Sequence, residues 1–216
     1  MIIGKNVKRI LGELPLDICL VAVTKTRNVL QIKEAIDSGV KIIGENYVNE
    51  AAEKFDEIGL YTKWHMIGHL QKNKVKDAAR IFDMIESLDS SELAKKLNSE
   101  CKKISKVMEV LIEINSANEA EKTGVLIQDV QNLAKEISNL GNLKLRGLMT
   151  LGPSAANPEV CRQYFIKTRE LFKKLKSLYG DDFNLLSMGM SDTYKIGIEE
   201  GANIVRIGTA IFGPRN

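Results

Sequence analysis

Ile18-Cys19-Leu20-Val21-Ala22-Val23-Thr24-Lys25 is an apolar run closed by a single charged residue. A strand of that composition buries both faces, which suits a parallel sheet. Lys25 therefore stands where the core stops and a pocket can start. A desolvated lysine shifts its pKa readily, and its neutral amine can attack a carbonyl. Lys25 could equally mark the strand's exit into water, and the segment alone leaves both readings open.

Outward from this run the chain repeats one plan. After an amphipathic helix over Asn6–Leu14, strands are expected at Ile18–Lys25, Lys41–Glu45, Trp64–Gly68, Met84–Leu88, Met108–Asn115, Lys144–Leu151, Leu185–Gly189 and Asn203–Ile207. Helical periodicity fills the gaps at Val29–Ser38, Val48–Ile58, Lys72–Ala79, Ser90–Ile104, Ile127–Leu140, Pro158–Tyr179 and Asp192–Glu200. Asp89-Ser90-Ser91-Glu92 reads as an N-cap followed by an acidic first turn. Strands alternating with helices, without hairpin signals, predict an α/β fold with a parallel sheet. Eight such units match a (β/α)8 TIM-type barrel, with the extra N-terminal helix covering its bottom. A doubly wound open sheet is the alternative. It is weakened because no Gly-x-Gly-x-x-Gly follows the first strand.

The chain has 216 residues, 44% of them hydrophobic and 27% charged, which suffices for one large core. A single domain over residues 1–216 is expected, since the tail from Gly208 to Asn216 leaves no room for a second. The net charge of +3 is spread along the chain and does not suggest a nucleic-acid or membrane surface. Cys19, Cys101 and Cys161 form neither a metal motif nor an even disulfide set, so a reduced, cytoplasmic setting is expected. Glu13 and Asp17 interrupt any signal-like apolar stretch, and no segment is long enough to span a membrane.

In a barrel the site lies at the C-terminal ends of the strands, and phosphate often binds after strands seven and eight. Here these ends read Ser187-Met188-Gly189-Met190-Ser191-Asp192 and Arg206-Ile207-Gly208-Thr209-Ala210. Each combines glycine, which lets backbone approach an anion, with a hydroxyl and the start of a helix. Glycines at such junctions also occur for purely steric reasons. Arg206 lies inside the apolar run Ile204-Val205-Arg206-Ile207, where a guanidinium needs a partner. A barrel carboxylate would serve, and so would a ligand's ring nitrogen or anion. Asn46, in Gly44-Glu45-Asn46-Tyr47, is either a helix N-cap or a contact to a flat ligand. His65 and His69 are the only histidines, and without a nearby carboxylate ligand they make a poor metal signal. His65 reads as a hydrogen-bonded core residue, and Met149 as packing at the rim.

Val23-Thr24-Lys25-Thr26, Gly44-Glu45-Asn46-Tyr47, the run Trp64 to Lys74, Gly147-Leu148-Met149-Thr150, Ser187 to Asp192 and Arg206 to Gly213 follow in an order that resembles the pyridoxal phosphate homeostasis proteins. This YggS/PROSC family is related to the N-terminal barrel of alanine racemase, and the resemblance spans nearly the whole chain. It implies that Lys25 forms a Schiff base with pyridoxal 5′-phosphate (PLP). It further implies that Ser191, Gly208 and Thr209 hold the phosphate, that Arg206 faces the pyridine nitrogen, and that Asn46 and Met149 line the ring's surroundings. Two departures stand out. Arg27-Asn28 replaces a proline common after the lysine-threonine pair, and the segment after Gly152 is short.

PLP chemistry depends on drawing electrons from the α-carbon into the ring. An arginine brings donors only, so Arg206 leaves the ring nitrogen unprotonated and the electron sink weak. Racemisation needs an acid/base on each face of the α-carbon. Lys25 serves one face, and the second domain that supplies the other in racemases is not expected here. No tyrosine stands in for it. The leading expectation is a PLP-binding protein that stores, buffers or delivers the cofactor as a monomer. Free amino acids and apo PLP enzymes would be its further partners. A weak amino-acid racemase is the enzymatic alternative, and a Schiff-base aldolase acting on a sugar phosphate is a third reading.

Overall fold

In a computed structural model, residues 2–119, 122–153 and 157–214 are described. The extremes of the expected 1–216 domain, and positions 154–156 of the short segment after Gly152, lie outside them. The elements run α1 (Ile2–Glu13), β1 (Cys19–Val23), α2 (Val29–Asp37), β2 (Ile42–Glu45), α3 (Val48–Ile58), β3 (Lys63–Met66), α4 (Val75–Ile81), β4 (Met84–Leu88), α5 (Ser91–Lys103), β5 (Met108–Ile114), α6 (Val130–Ser138), β6 (Leu143–Thr150), α7 (Arg162–Tyr179), β7 (Leu185–Met188), α8 (Tyr194–Glu199), β8 (Ile204–Ile207) and α9 (Thr209–Phe212). The strands pair in sequence order and close into a barrel, with β1 parallel to both β2 and β8. The doubly wound alternative is thereby excluded.

Two apolar layers follow from the period-2 alternation of each strand. Leu20 and Ala22 of β1 and Val205 and Ile207 of β8 face outward into the main core beneath the helices. Val21, Ile67, Met84, Leu111, Met149 and Ile204 face inward and fill the barrel. Both faces being buried explains why β1 reads as a continuous apolar run. The opening helix sits in the outer ring, not beneath the barrel. Its buried Ile3, Val7 and Ile10 join the main core, and Asn6 Nδ2 donates to Ile211 O of α9 at 2.9 Å. Ser90 caps α5 as expected, accepting from Leu93 N at 3.4 Å.

Most expected strands overrun the observed ones at their C-terminal ends. Lys25 and Asn46 lie just past β1 and β2, where the chain leaves the ladder to line the mouth of the barrel. That overrun separates scaffold from site.

Candidate functional site

The inward alternation continues past β1 from Val21 and Val23 to Lys25. Val21 is in register with Arg206, and Val23 with Gly44. Lys25 therefore stands over the mouth of the barrel, above Arg206 on the neighbouring strand. Both residues line one cavity of about 230 Å³, together with Asn46, His69, Glu113 and Met190. Lys25 also lines an adjoining recess of about 30 Å³ with Val23, Arg27, Gly208 and Thr209.

Arg206 is 2% exposed, and its charge is met inside the barrel. Its Nη2 donates to Thr150 O at 2.8 Å, its Nη1 donates to Ser187 Oγ, and Glu86 Oε2 lies 3.8 Å from Nη1. Ser187 Oγ in turn donates to Glu86 Oε2 at 2.6 Å, while His65 Nδ1 bonds Glu86 Oε1 at 2.7 Å. The barrel-acid reading of Arg206 thus holds, since Glu86 is its charged neighbour, and the same residue also borders the cavity. Burial alone would raise the Glu86 pKa. The His65 bond and charge, Arg206 and Ser187 outweigh it, and the carboxyl is held below its ordinary value. His65 is the hydrogen-bonded core residue expected. His69 is more exposed, with Nδ1 3.2 Å from Asp89 Oδ2.

The loop that carries Lys25 is held from behind. Lys54 Nζ donates to Thr24 O at 2.8 Å, to Glu45 Oε1 at 2.6 Å and to Glu50 Oε1 at 2.7 Å. Thr26 adopts φ +63°, costly for a β-branched residue, and its N–H donates to Glu50 Oε1 at 2.5 Å. The residues flanking Lys25 are therefore both tied to one charged cluster on α3.

The two glycine-hydroxyl turns expected to bind an anion also come together. Ser191 Oγ accepts from Gly208 N and Ala210 N, each at 3.3 Å, so the turns after β7 and β8 meet at this hydroxyl. Gly189 has φ +94°, and a Cβ there would sit 2.7 Å from Tyr194 Cα, so only glycine allows this turn to close on α8. Asn46 is not an N-cap: Tyr47 holds that position, with no side-chain bond. The Asn46 Oδ1 is buried without a partner and borders the cavity, as a ligand-facing acceptor would. Gly68 backs it, since a Cβ there would meet Asn46 O at 2.5 Å.

Of the expected site residues, the fold brings Lys25, Asn46 and Arg206 to one cavity, and Gly208 and Thr209 to the recess beside it. Ser191 bridges the turns after β7 and β8. Met149 is fully buried in the barrel interior and does not line the cavity, so it is not the rim residue expected. Glu113 was missed by the sequence reading. It is 3% exposed, accepts from Thr123 Oγ1 at 2.9 Å, and is pushed up in pKa chiefly by burial. Its signal was available in Leu111-Ile112-Glu113-Ile114, a charge inside an apolar strand, as was that of Glu86 in Met84-Ile85-Glu86.

An amine, a buried guanidinium, an orphaned amide oxygen and a recess lined by Gly208 and Thr209 fit a flat ligand that carries an aldehyde, a ring nitrogen and a phosphate. A family model described as alanine racemase, N-terminal domain, matches residues 3–216. A relative from Haemophilus influenzae, named pyridoxal phosphate homeostasis protein, is 41% identical over 201 residues, covering 91% of this chain and 85% of the relative. The structure of PipY from Synechococcus elongatus without PLP superposes with a TM-score of 0.93 at 29% identity, over 98% of this chain and 100% of that one. The same protein with PLP bound gives 0.90. Alanine racemase from Bacillus anthracis shares the barrel fold at 21% identity and TM-score 0.75, and the match covers 98% of this chain and 55% of that one. The chain belongs to the alanine racemase N-terminal domain family and, within it, to the pyridoxal phosphate homeostasis proteins.

Proposed function

We propose that this protein binds pyridoxal 5′-phosphate at the mouth of its barrel and serves the homeostasis of that cofactor, by buffering, storing or delivering it. The Haemophilus relative is named for that role, and PipY has been solved with PLP bound. The observation that carries the reading at residue level is the double placement of Lys25. It borders the cavity that contains Arg206 and also the recess formed with Gly208 and Thr209.

PLP supplies an aldehyde that condenses with primary amines and a ring that accepts electron density. In our reading Lys25 Nζ holds the aldehyde carbon as a Schiff base. Ser191, Gly208 and Thr209 hold the phosphate through a hydroxyl and backbone N–H donors. Asn46 borders the ring, and Met149 supports the site from below. Arg206 offers only N–H donors to the ring nitrogen, and Glu86 keeps it charged and in place. The ring nitrogen then stays unprotonated, which favours holding the cofactor over turning substrates into products. We place this activity in the cytoplasm, in a monomer whose partners are free amino acids and apo PLP enzymes. The described cysteines are free thiols, and no helix among the described residues is long and apolar enough to cross a membrane.

Titration of cofactor-free protein with PLP tests the binding role. A visible absorption band should grow in the wild type and be absent in Lys25→Ala. A wild type that takes up no cofactor overturns the reading. One observation favours amino-acid racemisation as a second reading: Glu113, raised in pKa by burial, lines the same cavity as Lys25. Exchange of an amino acid's α-hydrogen in deuterated water at about 1 s⁻¹ or faster would establish that reading over pure binding.

A further inference from the structure

The recess beside Lys25 contains a charged residue to which the reading above gives no task. Arg27 lines it with Val23, Lys25, Gly208 and Thr209. Its Nη2 donates to Gly213 O at 2.6 Å and to Pro214 O at 2.9 Å, and its guanidinium carbon lies 5.8 Å from the centre of the Phe212 ring. These contacts fix the guanidinium plane against the segment that follows α9. They do not neutralise it, because carbonyl oxygens and a ring face carry no net charge. Among the described residues, neither Nε nor Nη1 has an acceptor, and no carboxylate pairs with Arg27. Glu50 and Glu53 share an outer groove with it, but Glu50 is already taken up by Lys54 and Thr26 N.

The other groups assigned to the phosphate, the hydroxyl of Ser191 beside the recess and the backbone N–H groups of Gly208 and Thr209, are uncharged. Arg206 is committed to Glu86, and Lys25 to the aldehyde. A phosphate dianion leaving water gains most from a charge-assisted bond, which is about twice as strong as a neutral one. A guanidinium already clamped by two carbonyls loses little further freedom on making that bond. We propose that Arg27 is the charged member of the phosphate recess, and that it sets the preference of this protein for pyridoxal phosphate over unphosphorylated pyridoxal. The inference rests on the assignment of the PLP site above.

Uptake of PLP and of pyridoxal by cofactor-free protein, followed by visible absorbance, tests the two together. Arg27→Gln should weaken PLP binding about tenfold or more while leaving pyridoxal binding unchanged. Arg27→Lys, which keeps the charge, should recover most of the loss. A purely structural role predicts equal losses for both compounds. That result, or no loss for either, overturns the proposal. Should Arg27→Gln fail to fold, phenylglyoxal labelling of the wild type decides. Inorganic phosphate should protect Arg27 and leave Arg9, which pairs with Glu13 and lies outside the recess, reactive, and an unprotected Arg27 refutes the role. A wild type that takes up neither compound counts instead against the PLP site itself.

Discussion

Arg206 and Glu86 face each other inside the barrel with the Ser187 hydroxyl between them, and the two charges stay 3.8 Å apart. Glu86 Oε1 is occupied by His65, so every strong group in the arrangement has a partner. This is how a fully buried arginine becomes affordable beneath the ligand cavity. Glu86 balances the positive charge at the floor of the site from below and does not reach the cavity lining, whereas Glu113, whose charge also favours the charged form of Arg206, does.

Removing the balancing charge alone should therefore be costly. Glu86→Gln removes the nearest carboxylate from the buried Arg206 charge, and urea unfolding should show a loss of about 3 kcal/mol. The sign with pH follows from the lowered carboxyl. Its stabilisation is present above the ordinary value of 4.5 and is lost as pH falls through the lower value of the folded state. The gap between wild type and variant should accordingly narrow in acid below pH 4.5. A gap independent of pH would contradict the ion-pair account.

Glu113 should behave in the opposite sense. Burial raises its folded pKa above 4.5, so between those values the folded state holds a proton that the unfolded state has released. The wild type must then lose stability as pH rises from 4.5. Glu113→Gln keeps an acceptor for Thr123 and should remove that loss. Unfolding measured across pH 4 to 8 should find the variant gaining on the wild type toward neutrality. A variant that loses ground there would show that the carboxylate is stabilised in place.

Lys54 ties both flanks of Lys25 through Thr24 O, Glu45 and Glu50. Lys54→Met strands a buried Glu45 whose second oxygen already has no partner. A destabilisation of about 3 kcal/mol is expected. With Thr26 released from its strained φ, PLP binding should weaken as well, although Lys25 is intact. Unchanged affinity in a folded Lys54→Met protein would mean that the loop holds its shape without the cluster.

The barrel was legible because its signals are local. Doubly buried strands make apolar runs, and the intervening helices show their own period. Met84–Leu88 and Val48–Ile58 were readable to the residue. The site was legible where a residue breaks its surroundings, as Lys25 and Arg206 do. Glu86 and Glu113 break theirs in the same way, but attention to motifs at the strand ends passed over charges within the strands. Lys54 was not legible: on an amphipathic helix it resembles any solvated lysine, and only the tertiary approach of α3 to the end of β1 buries it. The depth of Met149 was hidden too, since a strand's register against the mouth depends on the tilt of the closed barrel.

The central claim is that Lys25 holds pyridoxal phosphate covalently, and borohydride reduction of the PLP-loaded protein tests it most directly. After digestion and mass measurement, a phosphopyridoxyl group should be found on the peptide containing Lys25, and its yield should fall to background in Lys25→Ala. A reduced adduct on another lysine, or undiminished labelling of the variant, would contradict the account.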